Sequence, residues 1–242
     1  MPRREAASAP SPPYLVDPGL AAIPGLVHGF GTRAWGPGDF ATEGGWPGAR
    51  LVELKQPHSD VVRFIDKPTA RRLRGDALAT DKPGLILAIR TADCLPVLIA
   101  DPEHMAVAAV HAGWRGTSQG ILARVVRALG ERYGARPSRL VAALGPCIGP
   151  ACYEVGEDVR GEFLRRGRGD AAFRRTAVPD AAGRAKYLLD LRAADRSQLL
   201  EAGLRTDAVA DIALCTHCDG RLLSYRRDRD TSARLYNFIG LI

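Results

Sequence analysis

Hydrophobic positions along the chain fall into two kinds of run. Residues 85–91, 96–100 and 105–111 are short and almost continuously apolar, as strands buried on both faces are. Over residues 118–133 the period changes. Ile121, Leu122, Val125, Val126 and Leu129 recur at helical spacing, and Thr117 or Ser118 is placed to cap the start. Further strands are predicted over 139–144 and 209–214, and further helices near 156–166 and 192–202. Residues 222–226 and 234–239 read as a closing hairpin around the polar turn 228–231. Strands outnumber helices and do not alternate with them regularly. The pattern predicts an α+β fold of mixed β-sheets with helices outside, and the length fits one large domain or two small ones. Residues 1–13 carry Ala, Ser and Pro but no apolar core of a leader, so they read as a disordered tail, with 14–242 as the domain.

Composition narrows the class. With 242 residues, 46% hydrophobic and 25% charged, the chain can bury a core without disulfides, and no apolar run reaches the length of a membrane span. Five cysteines (Cys94, Cys147, Cys152, Cys215, Cys218) make an odd set that does not suit a secreted disulfide framework. A cytoplasmic chain with free thiols is expected. The net charge of +7 raises the question of nucleic acid, but only four of the 34 basic residues are lysines and the arginines are scattered. The clusters Arg71, Arg72, Arg74 and Arg165, Arg166, Arg168 lack interleaved aromatics, so a solvated surface is expected rather than a nucleic-acid groove. Arginine forks also suit phosphate or carboxylate, so an anionic small molecule fits the charge.

Three residues stand where chemistry often forms. His111 ends an apolar strand and precedes the Gly-rich turn Ala112-Gly113-Trp114-Arg115-Gly116; a core histidine before a tight turn is the plain alternative. Cys94, in Ala92-Asp93-Cys94-Leu95-Pro96, separates two apolar runs, and Pro96 is expected to stop strand pairing there. A free cysteine ordinarily packs as a small hydrophobe, but an acid beside it among strands needs a partner. His58 ends another short apolar stretch and taken alone reads as a surface histidine. Together, two imidazoles and one thiolate suit Zn2+, and three protein ligands leave a fourth position open, as catalytic sites do. Spacing alone does not show that they converge. The rival motif Cys215-Thr216-His217-Cys218 has no second Cys-x-x-Cys, and Cys147 and Cys152 are flanked by Gly-Pro turns, so these four read as thiols in turns rather than a zinc knuckle. Arg226 and Arg227, with Arg234 across the predicted hairpin, are placed to meet an anionic substrate.

The ordered motifs resemble those of the YfiH-type laccase-domain family, also called polyphenol oxidoreductases or peptidoglycan-editing factors. They are His28-Gly29-Phe30-Gly31-Thr32-Arg33, Gln56-Pro57-His58-Ser59, Gly75-Asp76, Thr91-Ala92-Asp93-Cys94, the His111 turn, Gly145-Pro146-Cys147 with Tyr153-Glu154-Val155, and Ser224-Tyr225-Arg226-Arg227. The resemblance implies a single domain of layered mixed β-sheets flanked by helices, with a fold similar to Cys–His toxin deamidases, and a metal, most often zinc, on His58, Cys94 and His111, with Cu2+ as the alternative occupant. It implies purine nucleoside phosphorylase activity on adenosine, inosine and methylthioadenosine, with adenosine deaminase activity. Residues 34–52 depart from the family pattern: they are Gly- and Pro-rich and shorter than usual.

The leading expectation is therefore a zinc-dependent purine nucleoside phosphorylase and adenosine deaminase. Cys94, His111, His58 and Asp93 are its catalytic candidates. Arg33, Gln56, Asp76, Arg115, Arg226 and Arg227 are its candidates for binding nucleoside and phosphate, and Asp76 or Asp93 alternatively orients a ligand histidine or shuttles a proton. The second expectation is a metal-free Cys–His amidase acting on a peptidoglycan precursor, with Cys94 as nucleophile, His111 as base, and Asp93 or His58 assisting. A multicopper laccase is disfavoured, because five histidines leave too few for a three-copper cluster beside one blue-copper centre. Monomer and homodimer are both expected to be compatible with these activities.

Overall fold

The computed structural model describes residues 13–42, 46–69, 72–168, 170–230 and 232–242. Residues 1–12 of the predicted tail, residues 43–45 of the short 34–52 stretch, Arg71 and Thr231 lie outside the described residues. Pro13 is anchored: its carbonyl accepts the Thr32 amide at 3.0 Å and the Thr32 hydroxyl at 2.9 Å.

Two six-stranded mixed sheets form the body of the molecule. The first orders the strands Tyr14–Leu15, Leu26–Gly31, Leu235–Leu241, Leu85–Thr91, Arg50–Lys55 and Leu73–Arg74. The second orders Val209–Asp211, Val141–Leu144, Leu95–Asp101, Ala106–Ala112, Ala77–Thr80 and Val62–Phe64. A small three-stranded sheet (Glu154–Gly156, Lys186–Leu189, Phe173–Arg175) lies outside both.

Side-chain alternation explains the layering. Leu85, Leu87 and Ile89 of the first sheet share a core with Leu98, Ala100, Val107 and Ala109 of the second. The intervening residues Ile86 and Ala88 face a cap of Trp35, Phe40, Trp46 and Phe238. On the far side of the second sheet, Leu95, Val97, Ile99, Ala108 and Val110 pack on the helix Ile121–Tyr133 through Ile121, Leu122, Val125, Val126 and Leu129. The central strands are thus covered on both faces, the physical reason their sequences are continuously apolar. Among the described residues no helix is long and apolar enough to cross a membrane.

Local chemistry corrects three expectations. The helix predicted from residue 118 is two helices, Trp114–Gln119 and Ile121–Tyr133. Gly120 at φ 80° separates them, and no side-chain cap is made by Thr117 or Ser118. Pro96 does not stop pairing: it sits at the second position of Leu95–Asp101 opposite His111, and its carbonyl accepts the Gly145 amide at 2.9 Å. The closing hairpin is absent. The Ser224 hydroxyl caps the short helix Tyr225–Asp228 by accepting the Arg227 amide, so that segment turns instead of extending. Leu235–Leu241 pairs instead between Leu26–Gly31 and Leu85–Thr91.

Candidate metal centre

Pairing in the second sheet sets Pro96 opposite His111 and Leu95 opposite Ala112, so Cys94, just before its strand, meets the end of the neighbouring strand. His58 arrives from the turn that follows Arg50–Lys55, and the Gln56 side chain fastens that turn to the first sheet. Its Nε2 donates to the Arg90 carbonyl (2.8 Å) and its Oε1 accepts the Arg90 amide (2.9 Å). His58 and Asp93 both hold positive φ (64° and 91°), strained backbone of the kind that concentrates at functional sites. The ligand atoms of His58, Cys94 and His111 lie within 4.8 Å of one another, with Cys94 Sγ 3.9 Å from His58 Nε2.

Asp76, fully buried, organises this group. One carboxylate oxygen accepts from His111 Nδ1 at 2.8 Å and from the His58 amide at 3.1 Å. The other accepts the Ser59 amide (2.6 Å) and hydroxyl (2.7 Å). A carboxylate on Nδ1 fixes the imidazole and leaves Nε2 for a ligand. Gly113 completes the cradle, since a Cβ there would stand 2.9 Å from Cys94 Sγ and 3.1 Å from His58 Cδ2. Burial pushes the Cys94 thiol up, but the charges and hydrogen bonds of His111 and His58 outweigh it and bring the pKa down to about 6. Burial likewise opposes charge on His111, yet Cys94 and Asp76 raise it to about 9. The donor set therefore fits a metal: two imidazoles and an ionisable thiol converge, and the 3.9 Å between Cys94 and His58 is near the ~3.8 Å edge of a tetrahedron of ~2.3 Å bonds.

The group opens into a cavity of about 620 Å³ lined by Lys55, Arg90, Arg115, Arg226, Arg229 and Arg234, with Asp93 as its acid. Trp114, Tyr153 and Tyr225 add aromatic walls. Arg115 lies 4.3 Å from the Trp114 ring and Arg226 5.4 Å from Tyr153.

Of the residues singled out from sequence, His58, Cys94, His111, Asp93, Gln56, Arg115, Arg226 and Arg234 line this cavity. Three others do not. Arg33 is engaged with Asp228 at 2.8 Å and the Gly220 carbonyl at 2.9 Å. Arg227 is spent on Asp228 and on the carbonyls of Thr216, His217 and Leu222. Asp76 stands behind the histidines, outside the cavity lining, with His111 Nδ1 and the His58 amide as its partners. Asp93 is a brace: its carboxylate accepts the Thr216 hydroxyl (2.7 Å) and the Arg226 amide (2.6 Å). Sequence reasoning missed Trp114, Tyr153, Tyr225, Arg90 and Arg229. The first three lie inside motifs already noted, where the aromatic ring itself was the available signal.

A mixed-sheet sandwich whose strand ends form a His–Cys–His cradle within a basic cavity defines the class of protein. The chain belongs to the YfiH-type family: the family model described as multi-copper polyphenol oxidoreductase laccase matches residues 39–242. It is 36% identical to a purine nucleoside phosphorylase of Deinococcus radiodurans over 260 aligned positions, covering 97% of this chain and 95% of that relative. It is 37% identical to the purine nucleoside phosphorylase YfiH of Escherichia coli, covering 80% of this chain and 75% of that one. The fold matches the crystal structure of the hypothetical protein YfiH from Bacillus licheniformis with a TM-score of 0.82 at 28% identity, covering 96% of this chain and all (100%) of the other. It matches YlmD from Geobacillus stearothermophilus with a TM-score of 0.80 at 30% identity, covering 93% and 94% of the two chains.

Proposed function

We propose that the chain is a metal-dependent purine nucleoside phosphorylase, and that the same cavity deaminates adenosine and cleaves methylthioadenosine. The observation that carries this reading is a His–Cys–His cradle at the base of a cavity whose walls combine guanidinium groups with aromatic rings. Phosphate calls for the first and a purine for the second. The names of the relatives support the same substrate class.

In this reading His58, Cys94 and His111 hold Zn2+, with Cu2+ as the alternative occupant. The ion supplies Lewis acidity toward a substrate oxygen or ring. Asp76 holds His111 in the ligating tautomer. Arg115 and Arg226 bind phosphate against the ribose, and Gln56 keeps the His58 turn in place. Asp93 holds the Arg226 backbone so that its guanidinium stays at the wall. Burial raises the Tyr153 phenol, so it keeps its proton at neutral pH and can donate a hydrogen bond to a purine. An oxygen of hydrogen phosphate bonds to the anomeric carbon as the N-glycosidic bond breaks, and the base leaves with the proton that the phosphate gives up.

Incubation with inosine and phosphate is expected to yield hypoxanthine and ribose 1-phosphate. Product no greater than that of His111→Ala would sink the reading. The Asp76–His111–Cys94 chain also favours a second reading, a metal-free amidase with Cys94 as nucleophile and His111 as base. There Asp76 takes the supporting place that sequence reasoning gave to Asp93 or His58. Labelling of Cys94 by an electrophilic thiol probe in metal-stripped protein, with amide turnover retained, supports it. Turnover that returns only with added metal rejects it.

A further inference from the structure

Cys152, far from the Cys215-Thr216-His217-Cys218 turn in sequence, lies against it in space. The ligand atoms of Cys152, His217 and Cys218 fall within 4.8 Å of one another, and the Cys152 and Cys218 sulfurs are 3.4 Å apart. The Cys215 sulfur belongs to the same turn and stands beside this group, outside the mutual 4.8 Å spacing of the other three ligand atoms. That sulfur accepts the Gly149 amide at 3.1 Å. All five cysteines are free. Sequence reasoning dismissed a knuckle here because no second Cys-x-x-Cys exists, but the fold supplies the missing ligand from a separate turn.

The geometry points to a second, structural metal site in this chain, built on the converging Cys152, His217 and Cys218, with the Cys215 thiolate of the same turn closing the shell as fourth ligand. Three thiolates and one imidazole are a structural zinc set, and four protein ligands leave no open position. The 3.4 Å sulfur separation is far beyond a disulfide bond of ~2.05 Å and near the ~3.8 Å edge of a zinc–thiolate tetrahedron. The Gly149 N–H aimed at the Cys215 sulfur suits a thiolate, whose ligand bond and amide bond occupy different lone pairs. Each thiol releases its proton to solvent on binding, and no electron is transferred.

The placement has a purpose for the cavity. Cys152 precedes Tyr153, a wall residue, and its carbonyl accepts from Arg226 at 3.5 Å. The neighbouring Thr216 holds Asp93, and Arg227 binds the carbonyls of Thr216 and His217. An ion joining the two turns would clamp the wall from behind without facing the substrate.

The test is metal content and zinc-edge absorption spectroscopy on the full chain, purified under reductant, loaded with zinc alone and desalted. The expected result is about two zinc ions per chain with an average of about two sulfur ligands per zinc. His58→Ala with His111→Ala is expected to keep about one zinc in a sulfur-dominated shell, and Cys152→Ser with Cys218→Ser about one zinc in a nitrogen-rich shell. A wild-type chain with about one zinc and about one sulfur per zinc overturns the proposal, and so does a freshly purified chain whose Cys152 and Cys218 are already disulfide-bonded. The wild-type spectrum decides the matter even where a cysteine variant does not fold, and it is independent of which nucleoside the cavity takes.

Discussion

The two cysteine–histidine groups use the same atom types in different surroundings. The His58, Cys94 and His111 group draws one side chain from each of three elements, is backed by a buried carboxylate, and faces a basic cavity of about 620 Å³. The group of Cys152, Cys215, His217 and Cys218 joins two turns, has sulfur–amide contacts in place of a carboxylate, and lies outside that cavity's lining. Ligand chemistry alone does not separate a working site from a clamp. The count of ligands and the space beyond them do.

The largest effect is expected from removing a ligand of each. Metal charge stabilisation is worth several kcal/mol, so His111→Ala or Cys94→Ser is expected to lower phosphorolysis about 10³-fold or more. Cys218→Ser is expected to act chiefly on thermal stability, with a far smaller loss of kcat. Steady-state rates beside melting curves check this. Equal losses of kcat in both groups would erase the functional division between them.

A second contrast lies in the cradle. Gly113 has φ −80°, which alanine adopts freely, yet its added Cβ would press on Cys94 Sγ at 2.9 Å. Gly113→Ala is therefore expected to fold while losing metal affinity at the cavity by about 100-fold, leaving the cysteine-rich group loaded. Asp76→Asn acts more mildly. It keeps a hydrogen-bonding partner for His111 but removes the charge, and a drop of about 10–100-fold in affinity is expected. Competition with a chromophoric chelator measures both. An Asp76→Asn chain that binds zinc as tightly as wild type would show that the carboxylate merely packs.

These contrasts also explain what was legible in the sequence. The strands of the central layer announced themselves because burial on both faces leaves no polar position between Leu95 and Ala100. His58, Cys94 and His111 could be nominated by residue type and by their places at strand ends, but the 2.8 Å bond from Asp76 depends on pairing between Ala77–Thr80 and Ala106–Ala112. No local pattern encodes that pairing. The same limit hid Cys152 from its turn and made Arg33 look available, when Asp228 at 2.8 Å already engages it. The Ser224 segment misled in the opposite direction. A local cap, readable in principle from Ser224 and Asp228, outweighed the apolar alternation that suggested a strand.

The smallest expected effect comes from a histidine that belongs to neither group and so isolates what a charged partner contributes. His28 is buried like His111, but its Nε2 accepts the Asp17 amide at 2.8 Å instead of facing a carboxylate and a thiolate. Burial lowers its pKa below 6.5, with the Asp17 charge working weakly the other way. The folded chain therefore resists the proton that the unfolded chain accepts. Stability is full above the unfolded pKa and declines as pH falls through about 6.5 toward the folded value. Protonation of Nε2 would also remove the acceptor that the Asp17 amide uses. His28→Gln keeps an acceptor and does not titrate, so its urea midpoint is expected to fall less than that of wild type between about pH 7 and about pH 5. Parallel declines would mean that burial alone does not hold His28 neutral. The opposite displacements of His28 and His111 would then need a cause other than the partners each one faces.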